Sequence, residues 1–303
     1  MKGRVLVTGA SGFIGTPLVE VLVDQGWAVV TASRTRPDRD PGVADWIQTD
    51  LLTDDPRQLT AAARAEVLVH LAWIATPGLY GHSLENLDWL RTSAALSAAF
   101  LAGGGRRLVG AGTCLEYDCD GGADSTGPRT LYAAAKHACR LVFERQIAAV
   151  EGASLAWPRI FYLIGPGDHP DRFAPALARR LVAGETAEIS QGLVERDFID
   201  VRDCARAMAA LAGAEASGTF DLASGRGWRL RDLAEAIAAQ AGRPDLLRIN
   251  PNLDRPGEPP RLVGDPEPLR RAAGVAPIYS IDRSIADLLR HWQDRAANVS
   301  GGR

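Results

Sequence analysis

Tyr132 and Lys136 stand four residues apart in TLYAAAKHACRLVFERQIAAV, a stretch that reads as one helix, so their side chains leave the same face. A phenol of ordinary pKa is a poor acid or base at neutral pH. An ammonium beside it favours the phenolate, and the pair can then exchange a proton with an alcohol or ketone. Composition sharpens the assignment: of 34 lysines and arginines, only Lys2 and Lys136 are lysine. Where arginine serves almost everywhere, a lysine here points to a need for a compact ammonium with rotatable donors. An exposed helical Tyr/Lys pair is the competing reading. Thr113, in LVGAGTCLEYD at the end of the preceding strand-like run, is placed to offer its hydroxyl to a carbonyl oxygen. The alternative for Thr113 is a β-forming residue that merely closes a strand. Thr113, Tyr132 and Lys136 form the candidate catalytic group.

The partner of such a group is written near the start of the chain. In VLVTGASGFIG, Gly9, Gly12 and Gly15 follow a strand directly and precede an amphipathic helix, the context that gives a weak glycine pattern meaning. Gly9 permits the tight turn, Gly12 lets a pyrophosphate approach the backbone, and Gly15 lets helix pack on strand. Free N–H groups at the helix start add partial positive charge. Ser11, Phe13 and Ile14 lie between the glycines and belong to the same candidate loop for a nicotinamide dinucleotide. Lys136 joins its ligands, because an ammonium can bond ribose hydroxyls while tuning the phenol. About 20 positions past the glycines, an NAD site usually carries an acid for the ribose 2′-hydroxyl. Here Ser33 stands, followed by Arg34 and then Arg36, a set that suits a 2′-phosphate. NADP(H) is favoured, with NAD(H) the alternative if Arg34 and Arg36 only solvate a loop.

Elements must hold these residues together. Over the first 160 residues, short β-rich runs alternate with longer Ala/Leu-rich stretches, the pattern of a parallel sheet with crossover helices. The pattern predicts strands at Arg4–Thr8, Ala28–Ser33, Val67–Leu71, Arg107–Gly112 and Ser154–Phe161. Helices are predicted at Thr16–Gln25, Leu84–Leu101 and Thr130–Val150. From Gly165 onward Pro and Gly become frequent, and helices near Arg172–Ala183, Leu230–Gly242 and Ile281–Arg295 alternate with irregular segments. Strand-like pieces at Arg196–Val201 and Gly218–Leu222 are expected to return to the first sheet. The expected fold class is α/β: a Rossmann-type doubly wound parallel sheet with a smaller, interleaved α/β substrate lobe. The first domain takes 1–164 plus about 196–223, and the second 165–195 plus 224–297. Residues 298–303 are expected to be a disordered tail.

The whole chain narrows the partners. At 303 residues and 46% hydrophobic side chains it can bury a large core, and a net charge of −3 lacks the basic excess that nucleic acid or anionic membranes recruit. No apolar run reaches the roughly 20 residues of a membrane span, and the sequence enters its glycine motif without room for a cleavable signal. A soluble, cytoplasmic protein is the expectation. Cys114, Cys119, Cys139 and Cys204 show neither zinc-site spacing nor disulfide density, so they read as reduced thiols and no metal site is expected.

TGASGFIG, HLAW at His70–Trp73, Thr113, YAAAK at Tyr132–Lys136 and RDFIDVRD at Arg196–Asp203 occur in the order seen in extended short-chain dehydrogenases/reductases. The chain resembles the NAD(P)-dependent nucleotide-sugar epimerase/dehydratase family over nearly its whole length. The resemblance implies that Asp50 holds the adenine with Leu51 beside it, and that Leu71 and Ala72 line the cofactor. It also implies that Arg196 and Arg255 clamp the diphosphate of a nucleoside-diphosphate sugar, which bidentate guanidinium geometry suits. A solvated loop is the competing reading of Arg255. Trp73, Tyr80, His82 and Trp89 cluster where the family admits substrate, and aromatic rings can stack on a sugar's apolar face. Tyr80 and His82 are taken as substrate candidates, Trp89 as packing, and His137 as exposed.

Departures from the family pattern bear on the reaction. Sugar-nucleotide dehydratases of the family place an Asp/Glu pair directly after the catalytic threonine, but here Cys114 and Leu115 stand there, and neither can remove water. Glu116 comes one place late and, on a strand, faces away from the side of Leu115. Tyr162 replaces an asparagine common in 4-epimerases and is taken as substrate-binding. Asp200 replaces a common histidine and is read, like Tyr162, as a sign of an unconventional substrate. The expected function is an NADP(H)-dependent reductase of a nucleoside-diphosphate 4-keto-6-deoxy sugar. A nucleotide-sugar epimerase is the runner-up, and a non-catalytic NADP(H)-binding redox sensor the rival from another class. A homodimer through the Leu84–Leu101 and Thr130–Val150 helices is expected.

Overall fold

A computed structural model describes residues 2–36, 41–116, 128–255 and 257–301. Strands β1 (Arg4–Thr8), β2 (Ala28–Ser33), β3 (Asp45–Gln48), β4 (Val67–His70), β5 (Arg107–Gly110), β6 (Gly112–Thr113) and β7 (Ser154–Ile160) alternate with helices α1 (Gly15–Asp24), α2 (Pro56–Ala63), α3 (Glu85–Ala102) and α4 (Leu131–Ala148). The later strands are β8 (Tyr162–Ile164), β9 (Ala187–Ile189), β10 (Glu195–Asp200), β11 (Gly218–Leu222), β12 (Gly227–Arg229), β13 (Leu247–Ile249) and β14 (Arg261–Leu262). With them come α5 (Phe173–Val182), α6 (Val201–Gly213), α7 (Leu230–Gln240), α8 (Glu267–Ala273) and α9 (Ile281–Gly301).

The large sheet runs in the order β3-β2-β1-β4-β5-β7-β11, with β6 beside β7 and every pairing parallel. Period-2 alternation sends Val5, Val7, Val67, Val69 and Val109 to one face, where Leu18 and Leu22 of α1 and Met208 and Leu211 of α6 cover them. Leu6, Leu68 and Leu108 face the other way, under Leu59 of α2, Leu96 and Phe100 of α3, and Phe143 of α4. Burial on both faces is why these strands read as continuous apolar runs. The fold class is therefore the doubly wound α/β sheet that the sequence predicts.

The smaller lobe holds a sheet in the order β12-β10-β14 with β8 paired to β10, and the two-stranded sheet β13-β9. Leu177 and Leu181 of α5, Leu233 and Ile237 of α7, and Ile285 and Leu288 of α9 form its own apolar core. One strand expectation is corrected here. Gly218–Leu222 does return to the large sheet against β7, but the piece read as Arg196–Val201 joins β8, β12 and β14 instead. Strand propensity alone does not say which sheet offers a free edge. α9 continues to Gly301, into the stretch expected from Asn298 onward to be a disordered tail. Its stretch RAANV contains no helix breaker. Residues 302 and 303 lie outside the described residues, as does Cys119.

Asp200, read in the sequence as a sign of an unconventional substrate, has a structural use. Its side chain caps α6 by accepting the Arg202 N–H at 2.8 Å, and it accepts from the Arg202 guanidinium at 2.7 and 2.8 Å and from the Ser284 hydroxyl at 2.6 Å. Arg202 also donates to Asp287 of α9 at 2.8 Å. This buried cluster clamps the C-terminal helix to the start of α6. Removing one partner of a buried pair leaves the other without compensation. Asp200→Ala is thus expected to cost roughly 3 kcal/mol, read as a fall in Tm on the order of 5–10 °C. An unchanged Tm would remove the clamp from the account of this residue.

Candidate active site

The order of the large sheet reverses between β1 and β4, where Thr8 and His70 stand in register. In open α/β sheets this switch point leaves a crevice at the carboxyl ends of the strands. Gly9 enters it with φ +72°, and a Cβ there would lie 2.7 Å from the Ala72 nitrogen and 3.0 Å from the Leu71 carbonyl carbon. Gly12 donates to the Gly9 carbonyl at 3.1 Å, closing the turn. A Cβ on Gly15 would come within 2.7 Å of Ala10 Cα, so the start of α1 can press onto the loop only as glycine. The loop from Gly9 through Ser11, Phe13 and Ile14 thus presents backbone N–H groups at a helix start, a cradle that fits a pyrophosphate. Leu71 and Ala72, half-buried, form its opposite wall.

Ser33 ends β2 beside this crevice. Its hydroxyl donates to the Thr35 carbonyl at 2.8 Å and accepts the Trp46 indole N–H at 2.9 Å. The hydroxyl hydrogen is thereby committed to the chain itself. Arg34 and Arg36 are exposed, and the Arg36 guanidinium lies 5.9 Å from the Trp46 ring centre. Asp50 is half-buried at the start of a turn, where it accepts the Leu52 N–H at 3.0 Å; Leu51 packs at the edge of the core.

Tyr132 sits in the first turn of α4, which Thr130 opens by accepting the Ala133 N–H at 3.1 Å. Lys136 follows one turn on, 4% exposed, donating to the Ala111 carbonyl at 2.8 Å with its ammonium 3.9 Å from the Trp73 ring centre. Burial brings Lys136 from its ordinary 10.5 to about 8, while Cys139 and Glu116 hold it up. Burial, then Tyr80, push the Tyr132 phenol above its ordinary range, and a hydrogen bond with the Thr113 side chain acts the other way. The structure therefore brings Thr113, Tyr132 and Lys136 together at the end of the sheet, with the phenol in the form that donates a proton.

Glu116 is the residue that sequence reasoning misplaced. It lies in a single 3₁₀ turn, Cys114–Glu116, rather than on a strand, and it is fully buried. Its carboxylate accepts the Thr113 N–H at 2.8 Å and the Trp157 indole N–H at 2.9 Å, and lies 3.7 Å from the Arg140 guanidinium. Burial pushes this carboxyl up, against the pull of those donors and of Lys136. The signal was present: Thr113 with Glu116 three residues on has capping-box spacing, in which the acid reaches back to the first residue's N–H. Cys114 and Leu115 pack instead with Phe161, Tyr162 and Ala223.

A second buried polar chain runs behind the glycine loop. His70 bonds the Thr8 hydroxyl at 2.7 Å through Nδ1 and the Ser93 hydroxyl at 2.8 Å through Nε2. Ser93 in turn hydrogen-bonds the Cys139 thiol of α4. β1, β4, α3 and α4 are thus joined side chain to side chain.

The substrate candidates divide. Tyr80 meets the Tyr132 ring edge to face with centroids 4.8 Å apart, and the Arg172 guanidinium stands 5.6 Å from the Tyr80 ring centre. Trp73 stacks on Trp89, which packs as expected, with centroids 6.4 Å apart. His82 is exposed on the same loop, and His137 is half-buried at 3.4 Å from Arg140. Tyr162 lies between the Phe198 ring and the Arg196 guanidinium, which is 5.8 Å from its ring centre. Arg196 itself is 3% exposed, donating at 2.8 Å to the Glu195 and Pro259 carbonyls and at 3.1 Å to Glu258. Arg255 is 83% exposed at its side chain and faces the other Glu258 oxygen at 3.8 Å. The two arginines assigned to a diphosphate thus share one carboxylate of the chain itself.

Burial, aided by the charge of Lys136, lowers His70 to about 3, so it is neutral in the folded chain and ionises on unfolding near 6.5. The unfolded state binds a proton that the folded state refuses, so stability falls as pH drops below 6.5. Between pH 6.5 and pH 5 this one residue should remove about 2 kcal/mol. His70→Asn is expected to flatten that part of the stability curve, measured by urea unfolding at each pH. Parallel curves for both proteins would contradict the neutral, doubly bonded histidine.

The model of the NAD dependent epimerase/dehydratase family matches residues 5–223. The dTDP-6-deoxy-L-talose 4-dehydrogenase (NAD(P)(+)) of Kitasatospora kifunensis is 28% identical over 275 residues, 84% of this chain and 84% of its own length. The UDP-glucose 4-epimerase of Mycolicibacterium smegmatis is 25% identical over 97% of this chain and 99% of its own. MoeE5, solved in complex with UDP-glucuronic acid and NAD, superposes with a TM-score of 0.83 at 28% identity, covering 97% of this chain and all of that one. With the glycine cradle at the switch point and Thr113, Tyr132 and Lys136 gathered above it, the chain belongs to the NAD-dependent epimerase/dehydratase family of extended short-chain dehydrogenases/reductases, enzymes that use NAD(P).

Proposed function

We propose that this enzyme is an NADP(H)-dependent reductase of a nucleoside-diphosphate 4-keto-6-deoxy sugar. The observation that carries the proposal is the hydrogen-bonded Thr113–Tyr132 pair with Cys114 and Leu115, not carboxylates, in the two places after Thr113. No acid or base stands there to eliminate water. The apolar patch of Cys114, Phe161 and Tyr162 suits a deoxy carbon. The Thr113 hydroxyl polarises the ketone, and Tyr132, protonated at neutral pH, delivers the proton to its oxygen. Lys136 stabilises the phenolate left behind and bonds the nicotinamide ribose. When bound, NADPH supplies the hydride that completes the reduction. Tyr80 stands over the sugar, with Tyr162 at its far side. His82 contributes from the rim of the loop. Arg196 and Arg255 take the diphosphate once it replaces Glu258 between them. Likeness to a UDP-glucose 4-epimerase over 97% of the chain supports a second reading, in which the same group oxidises and re-reduces one sugar carbon. The assembly proposed is a homodimer through α3 and α4, on which Leu87 and Leu141 are exposed beside Leu84.

Tyr132→Phe is expected to abolish NADPH oxidation with a dTDP-4-keto-6-deoxy sugar while leaving NADPH affinity within about threefold, because only the proton is removed. Retained turnover would end the proposed proton transfer. A stoichiometric loss of NADPH separates the reductase from the epimerase, which consumes none.

For the cofactor, Ser33 spends its hydroxyl hydrogen on Thr35, so Arg34 and Arg36 are the donors left for a 2′-phosphate. A charge-assisted hydrogen bond contributes roughly 1.5–3 kcal/mol, on the order of tenfold to a hundredfold in favour of NADPH. Ser33→Asp with Arg34→Ala should reverse that ratio in calorimetric titrations. Equal wild-type affinities for NADH and NADPH would return Arg34 to a solvated loop.

A further inference from the structure

Asn86, in the first turn of α3, is fully buried although nothing in its chemistry calls for an apolar surrounding. Every polar atom of its amide is used. Oδ1 accepts the Trp73 indole N–H at 2.8 Å, and Nδ2 donates to the Tyr80 carbonyl at 2.7 Å and the Ser83 carbonyl at 2.8 Å. One acceptor and two donors at that reach are what an asparagine offers and what aspartate, serine or alanine does not. Two of the three residues so held, Trp73 and Tyr80, are the ones whose rings meet the catalytic pair. Trp73 lies on the Lys136 ammonium at 3.9 Å, and Tyr80 sets its edge against Tyr132 at 4.8 Å. The loop is tied from its other side as well, where the Tyr132 N–H donates to the Gly81 carbonyl at 3.1 Å.

We infer that Asn86 is a positioning residue of the active site: through its three hydrogen bonds it sets the 73–83 loop so that Trp73 and Tyr80 form a dry aromatic bracket around Lys136 and Tyr132. The inference rests on the proposed roles of those two residues. Besides Trp73, Lys136 is faced by the Ala111 carbonyl, by Glu116 and neutral His70, and by Cys139 on its own helix, with Arg140 beyond Glu116. None of these depends on Asn86. Two opposite effects follow from loosening the bracket. The ammonium loses the face of a ring, which destabilises the cation, and it gains water, which stabilises it. Burial is the largest influence on Lys136, so hydration wins.

The chain's two lysines make the test direct, since isotope labelling of lysine gives one ammonium signal for Lys136 and one for Lys2 as internal reference. In Asn86→Ala the Lys136 titration is expected to move from about 8 toward 10.5. Turnover of a dTDP-4-keto-6-deoxy sugar should fall about tenfold in kcat, with NADPH Kd within about threefold. Trp73→Phe keeps a ring and loses only the indole N–H; it should give a smaller change of the same sign that does not add to that of Asn86→Ala. This second variant keeps the test open where the first folds poorly. An unmoved Lys136 titration in either folded variant, or fully additive effects, would overturn the inference. Activity retained by Tyr132→Phe would instead fail the catalytic reading, leaving the lysine titration to judge the bracket by itself.

Discussion

The approach of two backbones at the switch point governs the rest of the structure. Gly9 leaves β1 with φ +72° and passes so near Leu71 and Ala72, at the end of β4, that a single methyl group would collide with main-chain atoms. Side chains cannot relieve such a contact, so the separation of β1 and β4 at their carboxyl ends is fixed by glycine. That separation opens the crevice in which a dinucleotide can lie against the start of α1. It also sets where β4 delivers the chain into the 71–84 loop, and hence where Trp73 and Tyr80 meet α4. His70 bolts the same junction from beneath, with one hydroxyl partner on β1 and one on α3.

On this frame the chemistry depends on burial acting oppositely on two neighbours. Taking charge out of water favours the neutral form of both a phenol and an ammonium, raising one pKa and lowering the other. Tyr132 therefore holds its proton, and Lys136, brought to about 8, stands near the point where it can give one up. Glu116 limits the second effect. A buried carboxylate behind Thr113 keeps the ammonium charged while also fixing the threonine backbone by a hydrogen bond at 2.8 Å. One side chain thus connects the electrostatics of Lys136 with the position of the Thr113 hydroxyl.

The features legible in the sequence were those decided locally. Short, continuous apolar runs such as VLVT and VLVH announced buried parallel strands, and three glycines between a strand and a helix announced the cradle. Tyr132 and Lys136 were legible because helical spacing fixes their common face. Features decided by tertiary pairing were not. Arg196–Val201 reads as a strand whichever sheet receives it, and only the neighbours β8, β12 and β14 place it, as Glu195–Asp200, in the smaller lobe. Asp200 looked like a sign of an unconventional substrate because its partner Ser284, and the Asp287 that shares Arg202 with it, lie more than 80 positions away. Glu116 was within reach, since its spacing from Thr113 is local, but a strand was extended through residues that turn. Asn86 carried no signal at all, because a buried amide is recognised by its three partners and not by its position.

The charges around Arg196 give the last constraint on what the site accepts. A guanidinium that is 3% exposed must be compensated, and here two carbonyls and Glu258 do so. Glu258 reaches Arg255 with its other oxygen, so one carboxylate stands between two cations. A diphosphate entering there carries more negative charge and more acceptor oxygens than the carboxylate it displaces, and can satisfy both planar donors bidentately. A neutral ligand that displaced Glu258 could do neither and would leave Arg196 buried without a counter-charge, at a cost of several kcal/mol. Under the proposed function, an anionic tail would be selected by this charged pair, whereas the sugar would meet uncharged groups: Cys114, Tyr162 and the ring of Tyr80. Such groups distinguish substrates by shape and by single hydrogen bonds, the former worth only about 1–3 kcal/mol per methylene.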